Sequence, residues 1–145
     1  MIDPIVIRMD GEPRGKGRPR FSRLTGAAYT PERTARYEER LAWIAQAEMA
    51  GRPLLDGPIR LDVQIYMSIP KSKPKKWREA ALSGDIRPTG KPDWDNVAKM
   101  TDALNKVVWH DDGQVVFATV CKYYSDRPRL EMTICPILDK LSVVA

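Results

Sequence analysis

From Ile59 to Met67 the chain alternates without a break. Ile59, Leu61, Val63, Ile65 and Met67 fall on one side, and Arg60, Asp62, Gln64 and Tyr66 on the other. Successive side chains of an extended strand point to opposite faces, so this period of two predicts a strand with one face buried. Pro70 closes it. The rest of the chain has to supply what that face packs against.

Ile5 to Met9 is a second apolar strand candidate, interrupted by Arg8. Thr30-Pro31-Glu32 reads as a helix start, with the hydroxyl as cap and proline at the first helical position. Tyr37, Leu41, Ile44 and Ala45 then recur at helical spacing up to Met49, and Gly51-Arg52-Pro53 ends the segment. Glu79 to Leu82 is short and helical in pattern. A second long helix is expected from about Asp93 to Lys106 or Val107, on the spacing of Val97, Met100, Ala103, Leu104 and Val107. Val115–Tyr123 and Arg129–Ile134 read as a β-hairpin around Ser125-Asp126-Arg127-Pro128. The order is β-α-β-α-β-β, which predicts an α/β (α+β) fold in which two main helices pack a mixed sheet. At 145 residues the chain is expected to be one domain, 1–145. That length buries roughly 68–70% of the surface exposed by the unfolded chain.

Charge narrows the class of partner. The formal net charge is +5, and a basic excess favours polyanions. The cations are concentrated. Arg14, Lys16, Arg18, Arg20 and Arg23 lie in a Gly/Pro-punctuated stretch read as a loop, and Lys71, Lys73, Lys75, Lys76 and Arg78 form a second run. Runs of this kind are commonly solvated surface, but they are also the electrostatic footprint of phosphate binding. Phe21 and Trp77 lie within them; such rings can stack on or wedge open bases, while core packing is their commoner use.

Against this background stands a run rich in acid, KPDWDNVAKMTDALNKVVWHDDGQV, from Lys91 to Val115. Asp93, Asp95, Asp102, Asp111 and Asp112 fall inside it, and Asp85 just before. Like charges held together require compensating cations. Magnesium is the natural candidate, since it takes oxygen ligands, usually one or two carboxylates with phosphate and water. Each residue also has an ordinary use: Asp93 as a helix cap, Asp95 as a favourable charge in the first turn, Asp95–Lys99 as a surface pair, Asp111-Asp112-Gly113 as a turn. Those uses do not require all of them at once. An EF-hand loop starting at Asp93 fails, because Ala98 and Leu104 stand where Gly and Glu are needed. Cys121 and Cys135 belong to no C-x-x-C pair and His110 is the single histidine, so zinc is not expected. The thiols are expected to be free, in a reducing cytoplasm. MIDPIVIRMD does not have the form of a signal peptide, and no apolar run reaches the ~18 residues of a membrane span.

K-P-D-x-D-N-x-x-K, then D-A-L, then D-D-x-Q-V resembles the RusA family of Holliday junction resolvases, common in bacteria and their prophages. The likeness covers Lys91 to about Val116. It implies an active site of Asp93, Asp95, Lys99 and Asp112, with Asp93, Asp95 and Asp112 as ligands of Mg²⁺. It also implies a small α/β protomer that forms a homodimer on four-way DNA junctions. Arg14, Lys16, Arg18, Arg20, Lys73, Lys75 and Lys76 would then hold the DNA arms. The interval between D-x-D and D-D is slightly shorter than in the family's best-known member, so Asp102 and Asp111 stand as further candidates. A catalytically silent DNA-binding protein is the alternative reading, as is a nuclease for other branched DNA.

Overall fold

The computed structural model describes residues 3–138. Strand β1 (Ile5–Asp10) leads through a tiny hairpin, β2 (Arg20–Phe21) and β3 (Ala28–Tyr29), to helix α1 (Glu32–Met49). Then come β4 (Ile59–Ser68), α2 (Lys75–Ser83), the short α3 (Trp94–Ala98), 3-10 turns at Lys99–Leu104 and Asp112–Gln114, and strands β5 (Val115–Ser125) and β6 (Arg129–Pro136). This is the mixed α/β arrangement expected. No helix among the described residues is long and apolar enough to cross a membrane.

The alternating strand β4 lies inside a four-stranded sheet of order β1-β6-β4-β5, parallel to β5 and antiparallel to β6. Its apolar positions are aligned with those of its neighbours. Leu61, Val63 and Ile65 pair with Ile134, Met132 and Leu130, which in turn pair with Ile5, Ile7 and Met9 of β1. All nine are buried. Leu41, Ala45 and Met49, at four-residue spacing along α1, cover this face together with Val97, Met100, Leu104 and Trp109. Each fully buried aliphatic side chain contributes about 1.5–3 kcal/mol over its exposed form.

Four local expectations differ from the structure. β5 and β6 do not form a hairpin, because β4 lies between them. The connection carrying α2 and α3 returns β5 parallel to β4, and β6 then takes the slot on β4's other side. The second long helix is only five residues of α-helix followed by the tighter 3-10 turn. Asn96, Thr101, Asp102 and Asn105 are poor helix formers, and Thr101 Oγ1 donates to the Ala98 carbonyl at 2.7 Å, a bond that competes with regular helix. The burial spacing survives, since Val97, Met100 and Leu104 all face the core. Helix α1 starts at Glu32 without a side-chain cap from Thr30. The second basic run is partly helical, with Lys75, Lys76 and Arg78 on α2.

Two contacts tie the basic loop down, one to the acidic motif and one to α1. The Lys16 amide donates to the Asn96 carbonyl at 2.8 Å, and the Gly17 amide donates to Thr34 Oγ1 of α1 at 3.0 Å. The backbones approach so closely that a Cβ on Gly15 would stand 2.9 Å from the Cβ of Asn96 and 3.2 Å from that of Pro92. Gly15→Ala is therefore expected to lower stability by about 1–3 kcal/mol, the ordinary cost of overpacking. Gly90→Ala, where an added Cβ meets nothing within 4 Å, should change it by less than about 0.5 kcal/mol. Equal urea midpoints for the two variants would show that the approach is slack.

The polar face of the sheet carries its own ion pairs. Glu131 accepts from Arg129 at 2.8 Å and from Arg8 at 2.9 Å. Burial pushes its carboxyl up, but the two arginines outweigh this and hold it below the usual value. Asp62 is held low as well, by the Thr119 hydroxyl at 2.5 Å and by Arg60. A depressed folded pKa means stability that is present above the unfolded value and lost as pH falls through the folded one. Glu131→Gln should thus cost about 1.5–3 kcal/mol at pH 7, with the difference shrinking as pH falls below the ordinary 4.5. Urea unfolding of both proteins from pH 7 to pH 3 checks this, and a constant difference would contradict it.

Candidate active site

The acidic motif is held from both sides. Arg87 Nε donates to the Lys122 carbonyl of β5 at 2.8 Å, and Lys122 Nζ donates to the Gly90 carbonyl at 2.5 Å. After the cis Lys91–Pro92 peptide, Asp93 takes the N-cap position of α3. Its side chain nevertheless accepts no capping hydrogen bond. Asp93 lines a cleft of roughly 780 Å³ together with Arg14, Lys16, Arg18, Arg33 and Lys91. The ordinary use of Asp93 as a cap is therefore not taken up.

Asp95 is half-buried in the first turn of α3, with Lys99 Nζ 3.9 Å from its Oδ2. This is an i, i+4 pair with both side chains at least half exposed, and such pairs contribute only about 0.2–0.5 kcal/mol. Asp102 does not join them. Its Oδ2 lies 3.1 Å from Lys16 Nζ, which also stands 3.2 Å from Glu38 of α1. Burial would lower the Lys16 ammonium, but Asp102 and Glu38 hold it above its usual 10.5. The Glu38 oxygen is buried without a well-formed hydrogen bond, so its charge is met by that ion pair. Lys16 was expected among the DNA contacts. It lines the cleft, yet its ammonium is already shared between two carboxylates.

The turn after the 3-10 segment divides two adjacent aspartates. Asp111 Oδ2 accepts from the Gly113 amide at 3.0 Å, and Gln114 Oε1 accepts from the Asp111 amide at 3.1 Å, a reciprocal capping box. Gln114 Nε2 also donates to the carbonyls of Leu55 and Gly57, and His110 Nε2 lies 2.8 Å from Asp56. These bonds anchor the turn to the segment preceding β4. Asp111 is thus committed to local structure. Asp112 is exposed, and its carboxylate enters no hydrogen bond or ion pair among the described residues; only its backbone carbonyl is engaged, accepting from the Val115 amide.

Arg14, Arg18, Arg20, Arg23 and Arg33 likewise form no ion pair among the described residues. Arg33, Arg36 and Arg40 of α1 gather with Arg14 and Tyr37 around a second depression. Burial pushes the Tyr37 phenol up to about 12, so it stays protonated. These three arginines were missed in the sequence, although their spacing of three and four puts them on one helical face. Lys73 and Trp77 stack at 4.8 Å, and Trp77 packs edge-on against Tyr124. Lys71, Lys75 and Lys76 are exposed.

Among the described residues no three His, Cys, Asp or Glu side chains converge closely enough to hold a metal by themselves. Magnesium rarely demands such an all-protein cage and completes its shell with phosphate and water. The donor set is hard oxygen throughout, and Asp93 and Asp112 are uncommitted, which fits that ion.

The chain matches the family described as Endodeoxyribonuclease RusA over residues 10–135. It is also 38% identical over 138 residues to a protein of Bacillus subtilis (strain 168) named "Uncharacterized protein YqaN", a match that spans 92% of this chain and 96% of that one. A family match over residues 10–135 includes the basic loop, the acidic motif and the Asp112 turn alike. The chain therefore belongs to the RusA family of endodeoxyribonucleases.

Proposed function

We propose that this chain is a Mg²⁺-dependent, structure-selective endonuclease that resolves Holliday junctions, working in the cytoplasm as a homodimer with residues 1–145 as one endonuclease domain. The observation that carries the reading is Asp93, which has a capping position but no capping bond and opens onto a cleft lined by cations. A four-way junction presents two strands to be cut in a two-fold arrangement, which a symmetric dimer matches.

Asp93, Asp95 and Asp112 would hold the magnesium only together with phosphate oxygens and water, since the three carboxylates form no cage by themselves. When bound, the ion supplies Lewis-acid polarisation of the scissile phosphate and a water of lowered pKa. Arg14, Arg18 and Arg33 orient that phosphate in the cleft. Lys99 turns from Asp95 to the phosphoryl oxygens as negative charge develops there. Lys16 acts through Asp102 and Glu38 and holds the motif against α1, while Asp111 fixes the turn that presents Asp112. Lys73, Lys75, Lys76 and Arg20 hold the arms further out.

A catalytically silent DNA-binding protein is the second reading, favoured by the absence of a converged three-carboxylate group among the described residues. A labelled four-way junction incubated beside a matched linear duplex, with Mg²⁺ and with EDTA, separates the two. Paired metal-dependent nicks in the junction support resolution. Binding without any cut, even in Mn²⁺, supports silence.

Asp93→Asn and Asp112→Asn should each slow cleavage by about a hundredfold or more and leave junction binding intact or tighter, because a negative charge facing phosphate is removed. Gel-shift and nicking assays on one preparation check this. Parallel loss of both would count against the ligand role. Replacing Arg18, Arg20 and Arg33 with Gln should reduce the slope of log K against log salt by about 0.9 for each phosphate that is no longer neutralised. An unchanged slope would take those residues off the DNA.

A further inference from the structure

The hairpin of β2 and β3 has no part in the core and bears side chains that water does not favour. Phe21 is 71% exposed, Leu24 97% and Tyr29 49%. With only two paired residues per strand, the hairpin is held mainly by its turn. Ser22 Oγ accepts from the amides of Leu24 and Thr25, and the Ser22 amide donates to the Ala27 carbonyl at 2.9 Å. Gly26 takes the positive φ of +70° that this turn needs. Ribbons this short have no stability of their own in water, so packing does not explain why large apolar residues stand at the tip.

The register gives the hairpin two different faces. Arg20 pairs with Tyr29, and Phe21 pairs with Ala28. Arg20 and Tyr29 line a depression with Pro31, Glu32 and Arg33, and Arg33 also lines the Asp93 cleft, so this face adjoins the site. Phe21 points the other way, beside a small residue that leaves its ring open. From Gly15 to Thr30 there is no acidic residue, while Lys16, Arg18, Arg20 and Arg23 are all cationic. A cationic segment calls for a polyanion, and its exposed ring calls for an apolar face. Intact duplex DNA keeps its base faces stacked and offers none. A branch point, where the stack is interrupted, offers both.

We propose that the Arg20–Tyr29 hairpin reads the branch point: Phe21 stacks on the base exposed where strands exchange, Leu24 flanks it, and Arg20 and Arg23 grip the adjoining phosphates. Stacking of a base on an aromatic ring is strong enough for such a choice and tolerant of sequence. The assignment rests on the branched-DNA reading above and adds to it the element that tells a branch from a duplex.

The test uses the full chain in EDTA, so that no strand is cut, with a four-way junction carrying 2-aminopurine at the exchange point. Wild-type protein should lower the 2-aminopurine fluorescence, because a base stacked on a ring is quenched, and prefer the junction to a matched duplex. Phe21→Ala with Leu24→Ala should abolish the fluorescence drop and cut the preference about tenfold. Phe21→Trp should retain both. Unfolding midpoints of all variants should agree, since these side chains are exposed. A double variant that keeps the fluorescence drop and the preference would overturn the hairpin's role while leaving the endonuclease reading intact. So would a double variant that loses binding together with its dimer by light scattering, because the tip would then be a contact between copies. A wild-type chain with no preference for junctions would sink the junction reading and the hairpin's role with it.

Discussion

The approach of Gly15 to Asn96 is the constraint on which the rest of the site depends. Two backbones meet there with no room for a methyl group, and the Lys16–Asn96 hydrogen bond closes the contact. A loop of Gly, Pro and cations would otherwise be free to wander. Here it becomes a clasp joining β1, α1 and the acidic motif. Lys16 completes it by placing one positive charge between Glu38 and Asp102. Breaking one partner of such a half-buried set leaves an uncompensated charge, so the three residues stand or fall together. Arg14 and Arg18 flank this fixed point, and their positions beside Asp93 follow from it.

The sheet provides the other half of the frame. β4 is flanked on both sides, and β1 and β5 run parallel to it across connections that carry α1 and the motif. The turn bearing Asp112 enters β5 directly, and Gln114 locks that turn to Leu55 and Gly57 just before β4. Two neighbouring aspartates thereby acquire different duties. Asp111 satisfies amide donors, and Asp112 is left with its carboxylate free. Neither residue type nor position along the chain distinguishes them; the capping box does.

Much of this was legible in sequence wherever one local rule sufficed. The alternation around Val63 and the helical spacing around Leu41 each name a buried face without knowledge of its partner. The chemistry of the 91–115 run likewise pointed to a site through its excess of acid. What remained hidden depended on contacts between distant segments. Two strands joined by a short loop read as a hairpin unless a third strand is known to lie between them. The 3-10 turn at Lys99 arises from Thr101 bonding back to Ala98, while the burial period that suggested a longer helix is preserved. Lys16 looked like its basic neighbours because nothing local marks its two carboxylate partners, which lie 22 and 86 positions away. Arg33, Arg36 and Arg40 are brought together only by the turn of α1, being separated along the chain by Thr34, Ala35, Tyr37, Glu38 and Glu39.

The weakness of the Lys99–Asp95 pair bears on how such a site could work. At 3.9 Å, with the two side chains 60% and 50% exposed, the pair adds too little to stability to be explained by folding. Lys16, by contrast, is bound at 3.1 and 3.2 Å by two carboxylates and has little freedom to move. The two lysines nearest the motif thus differ in kind: one is committed to two carboxylates, the other is loosely paired with a single one. On the proposed mechanism a group that must meet charge only as it develops should be loosely held beforehand, since any tight ground-state partner would have to be abandoned at a cost to the rate. The same reasoning applies to Asp93 and Asp112, whose carboxylates are left without protein partners next to a clasp and a turn that are fully bonded. Rigid backbone beneath uncommitted side chains is the arrangement that transition-state binding requires.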